Sequence, residues 1–269
     1  MNRDITFGQY YPADSFIHKL DPRIKLLISI VFIVAIFLCE YYWAFLVCFL
    51  FLTIAVIVSK IPVRNIFKSI KAIIIILLVT VIINVLFSGR ENPFFKWGFV
   101  SISWDGIQFA FFMAMRLIFL VLATSLVTLT TTPMTLTDGL ESLISPLKLI
   151  KFPVHDVAII MSIALRFIPT LMEEIDKIIM AQKARGAAFD EGNLLKKIKA
   201  LIPILVPLFV STFRIADELA LALDARCYNA TDARTKMKEL KLSWRDFVAS
   251  LFTLGMLAVV VLLKLGVIL

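Results

Sequence analysis

Long apolar runs dominate both ends of the chain. Continuous hydrophobic segments that lack the period-two alternation of half-buried strands predict membrane-spanning helices. Five such runs cover residues 24–38, 42–58, 70–87, 107–129 and 247–269. The pattern predicts an all-α integral membrane protein with about five transmembrane helices. Four of them fall in an N-terminal transmembrane domain at 1–130, and the last forms a C-terminal transmembrane helix at 244–269.

The middle of the chain, residues 131–243, has a different pattern. Its apolar runs are short, because Arg166 interrupts one of them and Pro203 and Pro207 interrupt another. A membrane span needs about 20 consecutive apolar residues. Amphipathic periodicity instead predicts three cytoplasmic or interfacial helices, over 136–149, 154–185 and 194–226. We interpret 131–243 as a separate cytoplasmic domain in which the last two helices are long and cross each other.

Composition and charge add an orientation to this pattern. The 269 residues are 60% hydrophobic with a mean hydropathy of +0.93, whereas soluble domains are about 45–50% apolar. Basic residues collect on the cytoplasmic side of membrane proteins. They precede the first span and fill the loop after the second, at Lys60, Arg64, Lys68 and Lys71. The N-terminus and residues 131–243 are therefore predicted to be cytoplasmic, and the aromatic stretch 92–105 to be an extracellular loop.

The chain carries none of the residue patterns that catalysis or metal binding requires. There is no phosphate-binding G-x-x-x-x-G-K-[ST], no H-E-x-x-H and no G-x-S-x-G. His18 and His155 have no metal ligands at suitable spacing, and the three cysteines suggest no disulfide framework. Arg116 is the one charge well inside a span, and we interpret it as a helix-packing or interface arginine near the cytoplasmic helices. We expect no enzyme activity, no metal site and an external energy source.

The two long central helices end on similar tripeptides. One ends at Ala184-Arg185-Gly186 and the other at Ala225-Arg226-Cys227. Arginine and glycine at a helix end are typical of an ordinary C-cap. An exposed guanidinium at a helix tip can also enter a groove on a partner and bind carboxylates or carbonyls in fixed geometry. The presence of two matched tips favours the docking interpretation.

Several motifs together resemble those of the T component, the transmembrane coupling subunit, of energy-coupling-factor (ECF) transporters. The opening motif is DSFIHKLDPRIKL at 14–26. The first signature of a coupling helix comprises RFIP at 166–169, Glu173-Glu174 and AQKARG at 181–186. The second comprises ADELA at 216–220 and ARCY at 225–228. The family usually ends both helices on Ala-Arg-Gly, so Cys227 is a departure that puts the second cap in doubt, because cysteine adopts a left-handed conformation less easily than glycine.

The resemblance implies a function without catalysis by this chain. A T component joins two ABC-type ATPase subunits, here expected to be a heterodimer, to a membrane-embedded S component that binds a vitamin or another micronutrient. Arg185 and Arg226 would each dock on one ATPase. ATP and magnesium would bind only to the ATPases, and this chain would bind no cofactor and no nucleic acid. It would lie in the lipid bilayer of a prokaryotic plasma membrane.

Apolar residues outside the full spans form a surface that a partner would bury, and we expect this partner to be the S component. The predicted contact residues are Ile160, Ala164, Leu201, Leu205 and Leu208. The alternative function is a self-contained channel or secondary carrier. Such a protein would show a polar pore lining and repeated halves, and neither is evident in the sequence.

Overall fold

The computed structural model describes residues 10–87, 95–97, 100–146, 154–187, 194–228 and 240–265. These residues are almost entirely helical, in agreement with the predicted class. In chain order the elements are α1 (Pro22–Leu38), α2 (Tyr42–Ser59), α3 (Val63–Phe87), β1 (Phe95–Trp97), β2 (Val100–Ile102), α4 (Trp104–Thr130), α5 (Pro133–Ile144), α6 (Val154–Ala184), α7 (Leu194–Ala225) and α8 (Trp244–Lys264).

Three of these helices, α2, α4 and α8, are long and apolar enough to cross a membrane. Helix α3 would be a fourth span, although it bends by 54° between Val63–Lys71 and Ile73–Phe87. Helix α1 has 17 residues, which is at the short end of the range for a span. The described part of the chain therefore contains three or four candidate spans, and the predicted fifth stays a prediction.

A short hairpin precedes α4, where the sequence indicated a loop. Strands β1 and β2 pair antiparallel, with Phe95 opposite Ile102 and Trp97 opposite Val100. Aromatic and β-branched residues favour paired, extended backbone, which explains why this part of 92–105 is regular. Residues 92–94 and 98–99 lie outside the described residues.

The chain divides into two compact units. One comprises Met1–Val154 together with Leu240–Leu269, and the other comprises His155–Glu239. Helix α5 packs against α1 in the first unit, although the sequence analysis grouped it with the domain at 131–243. A Cβ atom on Gly139 would lie 3.1 Å from Cβ of Pro22. Glycine at this position therefore allows the two helices to approach closely.

The core of the first unit lies between α1, α2, α4 and α8. Ile36, Cys48, Phe119 and Val260 come from these four helices and are almost completely buried. Outward-facing side chains of α2 and α3 are large and apolar, including Ile57 and Ile75 at 70% and 73% exposure. Such surfaces fit a hydrocarbon environment, as expected of membrane-spanning helices.

A buried lysine joins the beginning of α1 to the end of α4. Lys25 is 6% exposed. Its Nζ donates hydrogen bonds to the carbonyl oxygens of His18 at 3.2 Å and Thr130 at 3.0 Å, and to Oγ1 of Thr131 at 3.3 Å. All three ammonium donors are thus used, as burial of a charged group requires.

A buried aspartate joins the beginnings of α1 and α8 at the same end of the unit. Oδ1 of Asp246 accepts a hydrogen bond from the backbone N–H of Asp21 at 2.7 Å, and Oδ2 accepts one from the N–H of Ser243 at 2.7 Å. Asp21 itself caps α1, because its Oδ1 accepts from the N–H of Arg23. An aspartate immediately before Pro22 is well suited to this role, because proline is tolerated in the first helical turn and the carboxylate satisfies a free N–H.

Arg116 packs against the end of α1, which confirms its packing role, and its predicted location near the cytoplasmic helices stays a prediction. Its Nη2 donates to the carbonyl oxygen of Cys39 at 3.2 Å, immediately after the end of α1. The guanidinium carbon also lies 5.3 Å from the centre of the Phe37 ring. A cation beside the last carbonyls of a helix is favourable because those carbonyls carry partial negative charge.

Candidate docking site at the tips of two long helices

Helix α6 ends in a complete Schellman motif. The backbone N–H of Gly186 donates to the carbonyl of Lys183 at 3.0 Å, and the N–H of Ala187 donates to the carbonyl of Gln182 at 3.0 Å. Gly186 has φ of +87°, the left-handed conformation that this motif requires. Arg185 is therefore the C-cap residue, held at the point where the chain leaves the helix.

Helix α7 ends in the same motif although it lacks the glycine. The N–H of Cys227 donates to the carbonyl of Asp224 at 2.9 Å, and the N–H of Tyr228 donates to the carbonyl of Leu223 at 3.0 Å. Cys227 has φ of +52°. The departure from Ala-Arg-Gly thus leaves the cap geometry intact, and Arg226 occupies the same C-cap position as Arg185.

Both arginine side chains are presented to the exterior. Arg185 and Arg226 are exposed, as are Ala184 and Ala225 before them and Gly186 and Cys227 after them. Within the described part of the chain, neither guanidinium forms an ion pair or a side-chain hydrogen bond. The caps are made by the backbone alone, so both five-donor guanidinium groups remain available to a partner.

A polar contact joins α6 to α7 at a distance from the tips. Oγ of Ser211 donates to Oε1 of Glu174 at 3.3 Å. Oε2 of the same carboxylate lies 3.8 Å from Nζ of Lys177, one turn further along α6. The two helices therefore come together near Glu174, and their predicted crossing stays a prediction.

The apolar residues predicted to contact a membrane partner are mostly exposed. Ile160 is 65% exposed, Leu201 51% and Leu205 45%, and Ala164 is also exposed. Leu208 is half-buried. Four of the five predicted positions therefore lie on accessible surface of the second unit.

A further exposed apolar stripe on α7 consists of residues outside the predicted contact set. Ile202, Val206, Phe209 and Phe213 are each at least 54% exposed. Their spacing of four, three and four residues places them on one face of the helix. The helical periodicity of the sequence contains this stripe as well as the one that includes Leu201 and Leu205. Because the two stripes overlap, periodicity alone did not show that the second is also exposed.

The described residues contain no group of three or more His, Cys, Asp or Glu side chains placed to hold a metal ion. His18 is engaged inside the first unit. Its Nε2 donates to the carbonyl of Tyr11 at 2.9 Å, and Oγ of Ser15 donates to its Nδ1 at 2.7 Å. Burial lowers the pKa of the His18 imidazole, and the hydrogen bond to Tyr11 partly opposes that shift. The neutral ring thus fixes the segment that precedes α1.

Comparisons with known proteins agree with the motifs. The family described as cobalt transport protein, CbiQ, matches residues 13–237. The energy-coupling factor transporter transmembrane protein EcfT of Clostridium kluyveri is 52% identical over 266 residues, which is 98% of each chain. The EcfT proteins of Ruminiclostridium cellulolyticum and Lactococcus lactis are 47% and 44% identical, and each alignment covers 98% of both chains.

These alignments cover 98% of the chain, and the family match at 13–237 spans the positions of both helix tips. The apolar helices α2, α4 and α8 agree with the transmembrane character that the relatives' name states. The chain therefore belongs to the family of transmembrane proteins of energy-coupling factor transporters and is a membrane component of such a transporter.

Proposed function

We propose that the chain is the coupling subunit of an ECF-type ABC importer. It would transmit the ATP-driven motion of two ATPase subunits to an S component in the membrane. One observation carries this proposal: α6 and α7 end in the same backbone-made cap, and each cap leaves an arginine exposed and unpaired among the described residues. Backbone hydrogen bonds alone end each helix, so helix capping does not explain why both ends carry an exposed arginine.

The geometry of the tips suits docking on a protein partner. The Schellman motif fixes the direction in which Arg185 and Arg226 leave their helices. A planar guanidinium binds a carboxylate or a set of backbone carbonyls through parallel hydrogen bonds. Each tip would therefore fit a groove on one ATPase, and the hydrogen bond between Ser211 and Glu174 would couple the movements of the two helices.

We further propose that the exposed apolar surface of α6 and α7 contacts the S component. That surface contains the predicted Ile160, Ala164, Leu201 and Leu205, with Leu208 at its margin. The stripe formed by Ile202, Val206, Phe209 and Phe213 extends it. Large exposed apolar surfaces mark interaction sites.

In such an importer this chain would bind neither the nucleotide nor the cargo. ATP and magnesium would bind in the ATPases, expected to be a heterodimer, and the cargo would be a vitamin or another micronutrient selected by the S component. The N-terminus and the coupling helices would lie in the cytoplasm of a prokaryotic cell. A channel or carrier is less well supported, because the cavity between α1, α2, α4 and α8 is lined mainly by apolar side chains.

A capture experiment on the assembled transporter would test both contacts at once. We expect Arg185→Glu with Arg226→Glu to release the ATPases while the S component stays bound. Losing one side of a buried charge-assisted contact costs on the order of 2–5 kcal/mol. We expect Ala164→Glu or Leu205→Glu to do the opposite and release the S component alone. The readout is the set of subunits retained on a tagged copy of this chain.

The matched control is Lys19→Glu with Lys241→Glu, which reverses the same number of charges at exposed positions outside α6 and α7. This control should keep all partners. Thermal stability of the Arg185 and Arg226 variants should stay near that of the wild type, because dipole interactions at helix ends are worth about 0.3–1 kcal/mol. Full ATPase retention and full uptake by the double arginine variant would refute the docking role.

A further inference from the structure

The first part of α3 differs from the rest of that helix. Val63–Lys71 is set at 54° to Ile73–Phe87. The second part is apolar, with Ile75, Ile76 and Leu78 more than half exposed. The first part carries Arg64, Lys68 and Lys71, which line one open depression with Asn65 and Phe67. A basic first segment, bent away from the apolar remainder of the helix, is expected where lipid headgroups meet acyl chains.

Packing determines which side of this segment faces outward. Ile66 is buried against Ile61 and Leu129. Oγ of Ser69 lies 2.7 Å from Oγ of Ser125 on α4. These contacts fix one face of the segment against the first unit. The three cations occupy the opposite side, because residues spaced by four and three share a helix face.

The cationic face has no negative partner within the described residues. Arg64, Lys68 and Lys71 are exposed, and none of them forms an ion pair or side-chain hydrogen bond there. The first turn of α3 contains no acidic residue. Cations near a helix N-terminus oppose the helix dipole, which favours anions at that end. Like charges and the dipole therefore act together to attract an anion.

Exposed apolar side chains beside the cations indicate which kind of anion fits. Val63 is 56% exposed and Phe67 is 62% exposed. On a helix these two residues share a face next to the one that carries the charges. A soluble anion would leave both side chains in water, whereas a lipid would place its acyl chains against them and its phosphate against the cations.

We propose that the Val63–Lys71 segment of α3 binds the phosphate headgroup of an anionic membrane lipid through Arg64, Lys68 and Lys71. The lipid would hold the bent segment at the membrane surface and offset the repulsion among the three charges. This site is separate from the helix tips, so it does not depend on the proposed coupling function.

Competition between two lipids would test the site on the purified full-length chain. Native mass spectrometry would compare binding of dioleoylphosphatidylglycerol and dioleoylphosphatidylcholine. We expect the wild type to prefer phosphatidylglycerol. The triple variant Arg64→Gln, Lys68→Gln, Lys71→Gln should lose this preference by roughly fivefold for each charge removed. Added sodium chloride should weaken the preference of the wild type, because salt screens exposed charges.

The matched control is Lys19→Gln, Lys177→Gln, Lys241→Gln, which removes the same charge from exposed positions outside the cluster. It should retain the preference, and both triple variants should unfold near the wild-type temperature. The proposal fails if the control loses as much preference as the α3 variant, or if the α3 variant still selects phosphatidylglycerol. It also fails if inorganic phosphate displaces phosphatidylglycerol at comparable concentration, since the site would then bind free anions.

Discussion

At the scale of single residues, Cys227 and Gly186 occupy equivalent positions after the ends of α7 and α6. They differ in the free-energy cost of adopting the left-handed conformation there. Both have positive φ, at +52° and +87°. A residue with a Cβ in this conformation costs about 1–2 kcal/mol, whereas glycine avoids that penalty. No atom lies within 4 Å of a Cβ built on Gly186. A cysteine at position 186 would thus be penalised by its own backbone conformation and not by contact with other parts of the structure.

Exchanging the two residue types should move the stability of each tip in opposite directions. We expect Cys227→Gly to stabilise the last turn of α7 by a few tenths to about 1 kcal/mol. Relief of the left-handed penalty favours glycine, and the greater entropy of glycine in the unfolded chain cancels part of that gain. Gly186→Cys should destabilise the last turn of α6 by about 1 kcal/mol. Amide hydrogen exchange of the two terminal turns would measure both. Faster exchange in α7 of the Cys227→Gly variant would contradict the assignment of strain.

At the scale of the element, buried polar contacts join helix α1 to both α4 and α8. The ammonium group of Lys25 joins it to the end of α4, and Asp246 joins its start to α8. Apolar burial is not directional, whereas these hydrogen bonds require α1 to lie at one position along its axis. The polar contacts therefore set the register of α1.

Lys25→Met should destabilise the first unit strongly. It leaves the carbonyls of His18 and Thr130 without this donor and removes a positive charge near Asp21 and Asp246. The expected cost is on the order of 3 kcal/mol. Thermal unfolding in detergent would measure it, with the exposed Lys19→Met as the control. Equal unfolding temperatures for the two variants would show that the buried ammonium group does not hold α1 in place.

Charge predicts the orientation of the whole molecule in the membrane. Lys60, the basic residues in the first part of α3, and those across the second unit predict a cytoplasmic location for these regions. With five spans the C-terminus would be outside. The described residues contain three or four candidate spans for it.

Labelling of single cysteines would test this orientation in intact cells. In a Cys227→Gly background the native cysteines are buried at 1% and 0% exposure. We expect Lys183→Cys and Glu239→Cys to resist a membrane-impermeant maleimide until the membrane is opened. Lys96→Cys, between the third and fourth predicted spans, should react from outside and serves as the positive control. Reaction of Lys183→Cys in intact cells would overturn the five-span topology.

The sequence by itself determined the helices and the two tips. Predicted helices and observed helices share most of their residues, because helix formation depends on apolar periodicity and capping residues that are close in sequence. The same holds for Arg185 and Arg226, whose position is set by backbone bonds within one turn. Local interactions of this kind can be read from a single chain without knowledge of its partners.

Only the tertiary structure decided how these helices bend, which of them pack together and which of their faces are exposed. It revealed the bend in α3, the packing of α5 on α1, and the outward direction of the stripe from Ile202 to Phe213. It also showed that Lys25 is buried against Thr130, more than a hundred residues away in the chain. The physical reason is common to all of these features. Burial and hydrogen bonding depend on which distant segments meet, and periodicity along one helix does not specify that.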